Sequence, residues 1–412
     1  MSAPQPSPDL SSKTVIGFIN VAHLIDHYAL LILPTAVLGM VTEFNMSYGD
    51  MLALATGGFV AFGAGSMPAG WLGDRWSRRN MIAVFFFGIG LSLLAVSVSQ
   101  GPTSLAICLT AVGLFGAIYH PVGGAMLAAH ATKLGSTLGM NGVFGNVGVA
   151  IAALCTGALV TLAGWRVAFA APGVLSILIG FLFLAQVSRA ADRPAAAKKP
   201  GPPLPRALMV RAFIVMAIVM TAGSMIFNAT TVALPKLFDE RVSLFAETPM
   251  GVGVIVCGVY LCGAVAQVII GHWLDRHTLK TAFLPIAALL APCLALSIVA
   301  TDWAMILVGM LLMFAVFGQV TINDAMVARY SSDAWRARAY AVRYFLSFGI
   351  AAAVVPMLSL LHNRTGDFSA SFTILAIGGC VVLLGALIFP TRPDELGPAK
   401  PTPAPSMTEA RA

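Results

Sequence analysis

Hydrophobic runs of helical length recur from one end of this chain to the other, interrupted only by short clusters of charge or turn residues. Each run is too long for a barrel strand and lacks polar–apolar alternation, so the runs read as helices that satisfy their own backbone hydrogen bonds in lipid. Twelve spans are expected, at roughly 13–40, 50–71, 80–99, 103–130, 136–162, 167–187, 208–236, 250–272, 281–300, 304–328, 339–361 and 368–389. Composition agrees: 58% of residues are apolar, only 10% are charged, and the mean hydropathy is +0.88, far outside the range of soluble domains. The fold class expected is an all-α integral membrane protein.

The chain is also duplicated. Gly70-Trp-Leu-Gly-Asp74-Arg75-Trp-Ser-Arg78-Arg79 returns as Gly271-His-Trp-Leu-Asp275-Arg276-His-Thr-Leu-Lys280, with Asp74 and Asp275 standing 201 positions apart. The same offset pairs Pro34 with Pro235, Phe144 with Phe345 and Gly148 with Gly349. Two copies of a six-span unit are the pattern of a secondary transporter with a site near the bilayer midplane.

Charge placement sets the orientation. Lys13, Arg75, Arg78, Arg79, Lys133, Lys198, Lys199, Arg276, Lys280, Arg336 and Arg338 fall on one side, against Arg166, Lys236, Arg241 and Arg364 on the other. By the positive-inside rule both termini are cytoplasmic, and the basic balance needs no nucleic-acid partner. The expected division, in approximate numbers, is a disordered N-terminus 1–12, a six-helix bundle 13–190, a Pro- and Ala-rich cytoplasmic linker 191–206, a second bundle 207–390 and a disordered tail 391–412. No cleavable signal is evident, and a bacterial inner membrane is the expected location. The six cysteines fall within spans without metal spacing and read as packing residues, so neither disulfides nor a metal is expected. Glycines in the second and fifth spans, among them Gly142, Gly145 and Gly148, read as close-packing positions.

Twelve spans, the repeat, the central linker and the Gly-x-x-x-Asp-Arg-x-x-Arg-Arg loop together resemble the major facilitator superfamily, across roughly residues 13–390. That resemblance implies two pseudo-symmetric six-helix bundles. The loop departs from the usual pattern at Ser77, where glycine is common; a serine on an exposed turn is expected to change little. Independently of the family, Asp74 can face the amide groups at the N-terminus of the eleventh helix near Arg338, holding the halves together. Gly70, Asp74, Arg75, Arg78 and Arg79, with Gly271, Asp275 and Arg276 in the thinner copy, form the expected gating motif. Gly-Ala-Ile-Tyr119-His120-Pro121 is in addition similar to fosmidomycin-resistance-type efflux members, although the antiporter glycine–proline signature of the fifth span is incomplete.

An ionised carboxylate in hydrocarbon costs upward of about 2.5 kcal/mol, so Asp26 and Asp324, the acids set well inside spans, must face a cavity or a partner. His23 and His27 lie four apart on the face that carries Asp26, with Tyr28 beside them. Carboxylate next to imidazole is a proton-binding unit, and His23, Asp26, His27 and Asp324 are the expected coupling residues. The resemblance implies that spans one, four, seven and ten line the central cavity. On that basis Tyr28, Tyr119, His120, Asn228, Gln319, Asn323 and Arg343 are the expected solute-binding residues, with Arg343 placed to pair with Asp324.

The function expected is therefore proton-coupled transport of a small organic solute by alternating access, acting as a monomer in the lipid bilayer, with export the leading direction. An importer or facilitator of a small organic anion is the second reading, and a non-transporting sensor or scaffold the third. No nucleophile–base pairing or cofactor loop is evident, so neither an enzyme nor a cofactor is expected.

Overall fold

All twelve hydrophobic runs form helices in the computed structural model, which describes residues 10–132, 134–192, 206–244, 248–274, 276–330 and 333–390; for 10, 11, 134–136, 206–209, 328, 333–346, 348 and 351 only the backbone is described. Most of the linker 191–206, the two termini, Lys133 and Asp275 therefore lie outside the described residues, as do the side chains of Arg336, Arg338 and Arg343. The elements are α1 (Leu10–Leu30), α2 (Ile32–Ala36), α3 (Val41–Phe44), α4 (Tyr48–Ala53), α5 (Thr56–Arg75), α6 (Arg78–Ser97), α7 (Pro102–Gly116), α8 (Tyr119–His130), α9 (Leu134–Ala163), α10 (Trp165–Gln186), α11 (Arg206–Arg241), α12 (Pro249–Leu274), α13 (Leu279–Leu296), α14 (Asp302–Tyr330), α15 (Asp333–Thr365) and α16 (Ser369–Ile388). Twelve spans arise from these because α1 with α2, α4 with α5, and α7 with α8 are each one interrupted span.

Two of the interruptions have a common cause. Proline lacks an N–H and its ring crowds the carbonyl four residues back. Pro34 acts in this way on Leu30, and the first span bends by 41° between α1 and α2. Pro121 acts on Ala117, where α7 gives way to α8. Pro235, the repeat partner of Pro34, is instead carried inside the single helix α11. Among the described residues ten helices are long and apolar enough to cross a membrane, and the bent first span makes eleven.

The repeated loop fastens each half at one end, here termed the basic face. Arg79 donates from Nε to the Val187 carbonyl (2.5 Å) and from Nη2 to the Leu184 carbonyl (2.8 Å), covering the unpaired C-terminal carbonyls of α10 with a cation. Lys280, its repeat partner, donates from Nζ to the Leu387 and Phe389 carbonyls (2.6 and 3.3 Å) at the end of α16. Ser77 contributes more than the exposed turn expected of it. Its hydroxyl caps α6 by accepting from the Asn80 N–H (3.0 Å) and donates to Asp192 (2.6 Å), which in turn accepts from the Arg79 N–H (2.9 Å). Glycine at this position would lack both contacts. Charge-assisted hydrogen bonds of this kind contribute about 1.5–3 kcal/mol. Arg79→Ala is accordingly expected to lower the melting temperature of the purified protein, and an unchanged melting curve would refute the clamp.

At the far face the halves are each closed by an ion pair of reversed polarity. Glu43 accepts from Arg166 Nη1 (2.8 Å) and Trp165 Nε1 (2.7 Å), whereas Asp367 faces Arg241 (3.4 Å). The Trp165 hydrogen bond, then that of Arg166, holds the Glu43 carboxyl below its ordinary value. A group depressed in the folded state stabilises it above the unfolded value and loses that effect as pH falls through the folded one. Melting temperature should thus decline as pH drops below the ordinary glutamate value of about 4.3. Glu43→Gln should flatten that decline in pH-resolved melting curves; parallel curves would count against the contact.

The halves also meet at the far face. Ser47 donates to Asn363 Oδ1 (2.9 Å) and Asn363 Nδ2 to Asp50 (2.6 Å), while the Met250 N–H reaches Thr161 (3.1 Å). Tyr48 stands against His362, with ring centroids 5.4 Å apart. Between them, α9 and α12 run so close at Gly157 and Gly253 that each glycine abuts the other helix's backbone. Such approach is how helices associate where lipid removes the hydrophobic driving force.

Candidate functional site

Three expected residues lie at a spacing of three and four on α1, and the break before α8 brings two more to meet them. His23 stacks on Tyr119 (centroids 4.7 Å, planes 19° apart) and stands edge-on to His27 (4.7 Å) and His120 (5.5 Å). Gly145 of α9 forms the floor. A Cβ there would lie 2.6–2.9 Å from the His23 ring, so this glycine accommodates an imidazole rather than a helix backbone. Gly148, one turn on, serves the expected purpose, abutting the Leu24 backbone.

The hydrogen bonds fix proton positions. Nδ1 of His23 lies 2.7 Å from the Asn141 carbonyl, which can only accept, so Nδ1 donates. In the neutral ring Nε2 of His23 then carries a lone pair, and Nε2 of His27, 3.1 Å away, donates to it. Tyr119 donates to Asn141 Oδ1 (3.0 Å), and Asn141 Nδ2 donates to Asn20 Oδ1 (3.0 Å). Neither Asn20 nor Asn141 was singled out in the sequence. An asparagine in an apolar run, like the groups that were, must find a hydrogen-bond partner, and that was the available signal.

Asp26 is the most constrained group. It is 0% exposed, neither carboxylate oxygen has a hydrogen-bond partner, and its nearest charge partner is Nε2 of His120 at 3.4 Å. Gly116 and Phe62 close in beside it. The structure therefore pairs Asp26 across helices with His120, while the same-helix neighbours expected to serve it, His23 and His27, bind one another. Buried among apolar atoms, a carboxylate in this position persists as an anion only against a positively charged partner and otherwise holds a proton. The ligating nitrogens of His23, His27 and His120 all lie within 4.8 Å of one another, and among the described residues these three could hold a metal ion.

Other expected residues are distributed differently. Tyr28 lies beside Thr156 and Cys155 of α9 rather than with the histidines. In the second half Gln319 donates to Asn323 Oδ1 (2.9 Å), both are buried, and a Cβ added to Gly223 of α11 would lie 3.6 Å from both side chains. The Gln319 carbonyl oxygen is buried without a hydrogen-bond partner. Asn228 turns to the Ser224 carbonyl of its own helix (2.8 Å). Asp324 is half-buried on α14; the Arg343 side chain expected to face it lies outside the described residues. A link between the halves that sequence reading missed runs from Asn146 Nδ2, next to Gly145, to Gln267 Oε1 of α12.

Of the loop motif, Asp74 is 66% exposed and bonded to Arg78 (2.7 Å), Arg75 lies 4.9 Å over the Trp71 ring, and Gly70 packs on Pro121. Gly271 meets open space and Arg276 is exposed, while Asp275 is outside the described residues.

The family model of the Major Facilitator Superfamily matches residues 18–259 and 243–410. A comparison with curated proteins finds no match. Among solved structures, a bacterial homolog of the human lysosomal transporter Spinster, in an inward-facing and unoccupied conformation, is similar with a TM-score of 0.71 at 11% identity, over 93% of this chain and 95% of that one. A D-xylose-proton symporter gives 0.70 at 14%, over 93% and 98%. A peptide transporter, POT, in complex with sulfate gives 0.68 at 15%, over 94% and 96%. These likenesses establish the fold, and the family match covers nearly the whole chain: this multi-pass membrane protein belongs to the major facilitator superfamily and is a secondary transporter rather than an enzyme.

Proposed function

We propose that the chain is a proton-coupled exporter of a small organic solute, a monomer that works by alternating access in a bacterial inner membrane with the basic face and both termini in the cytoplasm. The observation that carries the coupling is Asp26: wholly buried, without a hydrogen-bond donor, and 3.4 Å from one histidine. In such a place uptake or loss of one proton changes which cavity orientation is favoured. The histidine cluster and Asp26 lie in the first half, whereas Gln319 and Asn323, beside Asp324, offer neutral amide groups in the second, suited to hydroxyl and amide atoms of a solute. The unpartnered Gln319 oxygen is an acceptor for such a solute. Far-face contacts between the halves, together with an exposed Asp74, support an inward-facing arrangement. The symporter among the similar structures couples its named solute to protons, and that coupling is carried to this chain as part of the proposal.

The test begins with thermal-shift screening of the purified protein against organic acids, sugars and antibiotics at two pH values, since a bound ligand raises the melting temperature by mass action. The ligand found is then followed in proteoliposomes. Accumulation against its own gradient, driven by an imposed pH difference, is the expected result. Movement that only equilibrates, at the same rate with and without that difference, would overturn the coupling.

A further inference from the structure

We propose that His23, His27 and His120 form a binding site for a divalent transition-metal ion of the zinc class, with one coordination position left for water or an anionic group of the cargo. Three imidazoles from two helices place their ligating nitrogens within 4.8 Å of one another. Two of them are already at ligand spacing: Nε2 of His23 and Nε2 of His27 are 3.1 Å apart, against the roughly 3.3 Å that separates two nitrogens held about 2.0–2.1 Å from a tetrahedral zinc ion. The third has to close by at most about 1.5 Å, a side-chain rotation, to complete the triangle.

The surroundings are those of a ligand set. Histidine ligands are oriented by the hydrogen bond that the ring N–H away from the metal donates, commonly to a carbonyl or a carboxylate. The Asn141 carbonyl does this for His23, turning the Nε2 lone pair inward. Asp26 stands 3.4 Å from His120, and a bound divalent ion would be the positively charged partner against which its carboxylate persists as an anion. Tyr119 on one side and Gly145 on the other fix the His23 ring in place. Imidazole donors suit zinc, copper, nickel and cobalt; magnesium and calcium need oxygen ligands, and this pocket has one carboxylate. Three protein ligands with one open position are the arrangement in which an ion still accepts an outside group. The inference rests on the transport reading only in placing the ion on the solute path; binding stands on the geometry alone.

The experiment uses full-length protein freed of any affinity tag and of metal, titrated with Co²⁺ as a spectroscopic stand-in for Zn²⁺. One equivalent should develop the visible absorption of four-coordinate cobalt, and Zn²⁺ should abolish it. His23→Gln and His120→Gln, which keep a polar side chain in the pocket and are checked for folding by their melting curves, should remove the band and weaken Zn²⁺ binding at least roughly tenfold, with Asp26→Asn weakening it by roughly 10- to 100-fold. His277→Ala, on an exposed loop, should bind as the parent does. Folded parent protein that develops no band, or a band that survives in both glutamine variants, would end the proposal. Proton-driven flux with no cobalt binding would sink the metal site alone; cobalt binding without such flux would leave the metal site standing and remove the coupling.

Discussion

Asp26→Asn should melt within a few degrees of the parent protein while its pH-driven solute accumulation falls to the leak of empty liposomes. Asparagine matches aspartate in size and carries no charge, so the pocket beside Gly116 and Phe62 is refilled without a cavity. What disappears is the exchangeable proton and the negative charge beside His120. The variant should still exchange labelled for unlabelled solute across the membrane, because that step needs the cavity to reorient but no net proton movement. Losing accumulation while keeping exchange is a signature that misfolding cannot produce. Intact accumulation in the variant would show that the proton is carried elsewhere.

Gly253→Val should drive the halves apart at the far face. A Cβ at this position would lie 3.0 Å from the Ala153 carbonyl carbon and 3.1 Å from the Leu154 Cα, with the carbonyl oxygen nearer still. Backbone atoms cannot swing aside as a side chain can. Over-packing of this order costs about 1–3 kcal/mol. Because the contact exists only where α9 and α12 touch, the penalty falls on one conformation, and 1–3 kcal/mol shifts a two-state balance roughly 5- to 150-fold. Spin labels on the far-face ends of α9 and α12 should report longer separations in the variant. Distances matching the parent distribution would mean that these helices stay in contact throughout the cycle. Gly258, where an added Cβ would meet no atom within 4 Å, is the control position on the same helix.

The spans and the repeat were legible because lipid leaves the backbone only helices or closed barrels, with these runs too long for barrel strands, and because a shared offset survives in residues such as Arg79 and Lys280. Helix ends were less so: α15 starts at Asp333, several residues before its apolar stretch. Asp26 announced itself as a carboxylate where none is tolerated idly. Its partner did not, since spacing along one helix nominates His23 and His27, whereas His120 comes from a different span packed against the first. Gly145 reads in the sequence as a glycine for close helix packing, yet what it packs is an imidazole, which no pattern of small residues distinguishes from a neighbouring helix. Tyr28 shared a helix with the cluster but projects toward Cys155 and Thr156, a matter of about 100° of turn per residue.

The cation clamps at Arg79 and Lys280 have a mechanical corollary. Each ties the third membrane span of its half to the sixth, entirely within that half, so each half behaves as a stiff block whose internal shape is set before any solute arrives. In the proposed cycle, deformation would then fall on the contacts between the halves, the glycine-lined seam of α9 and α12 among them, and a molecule wedged into that seam would act as a brake.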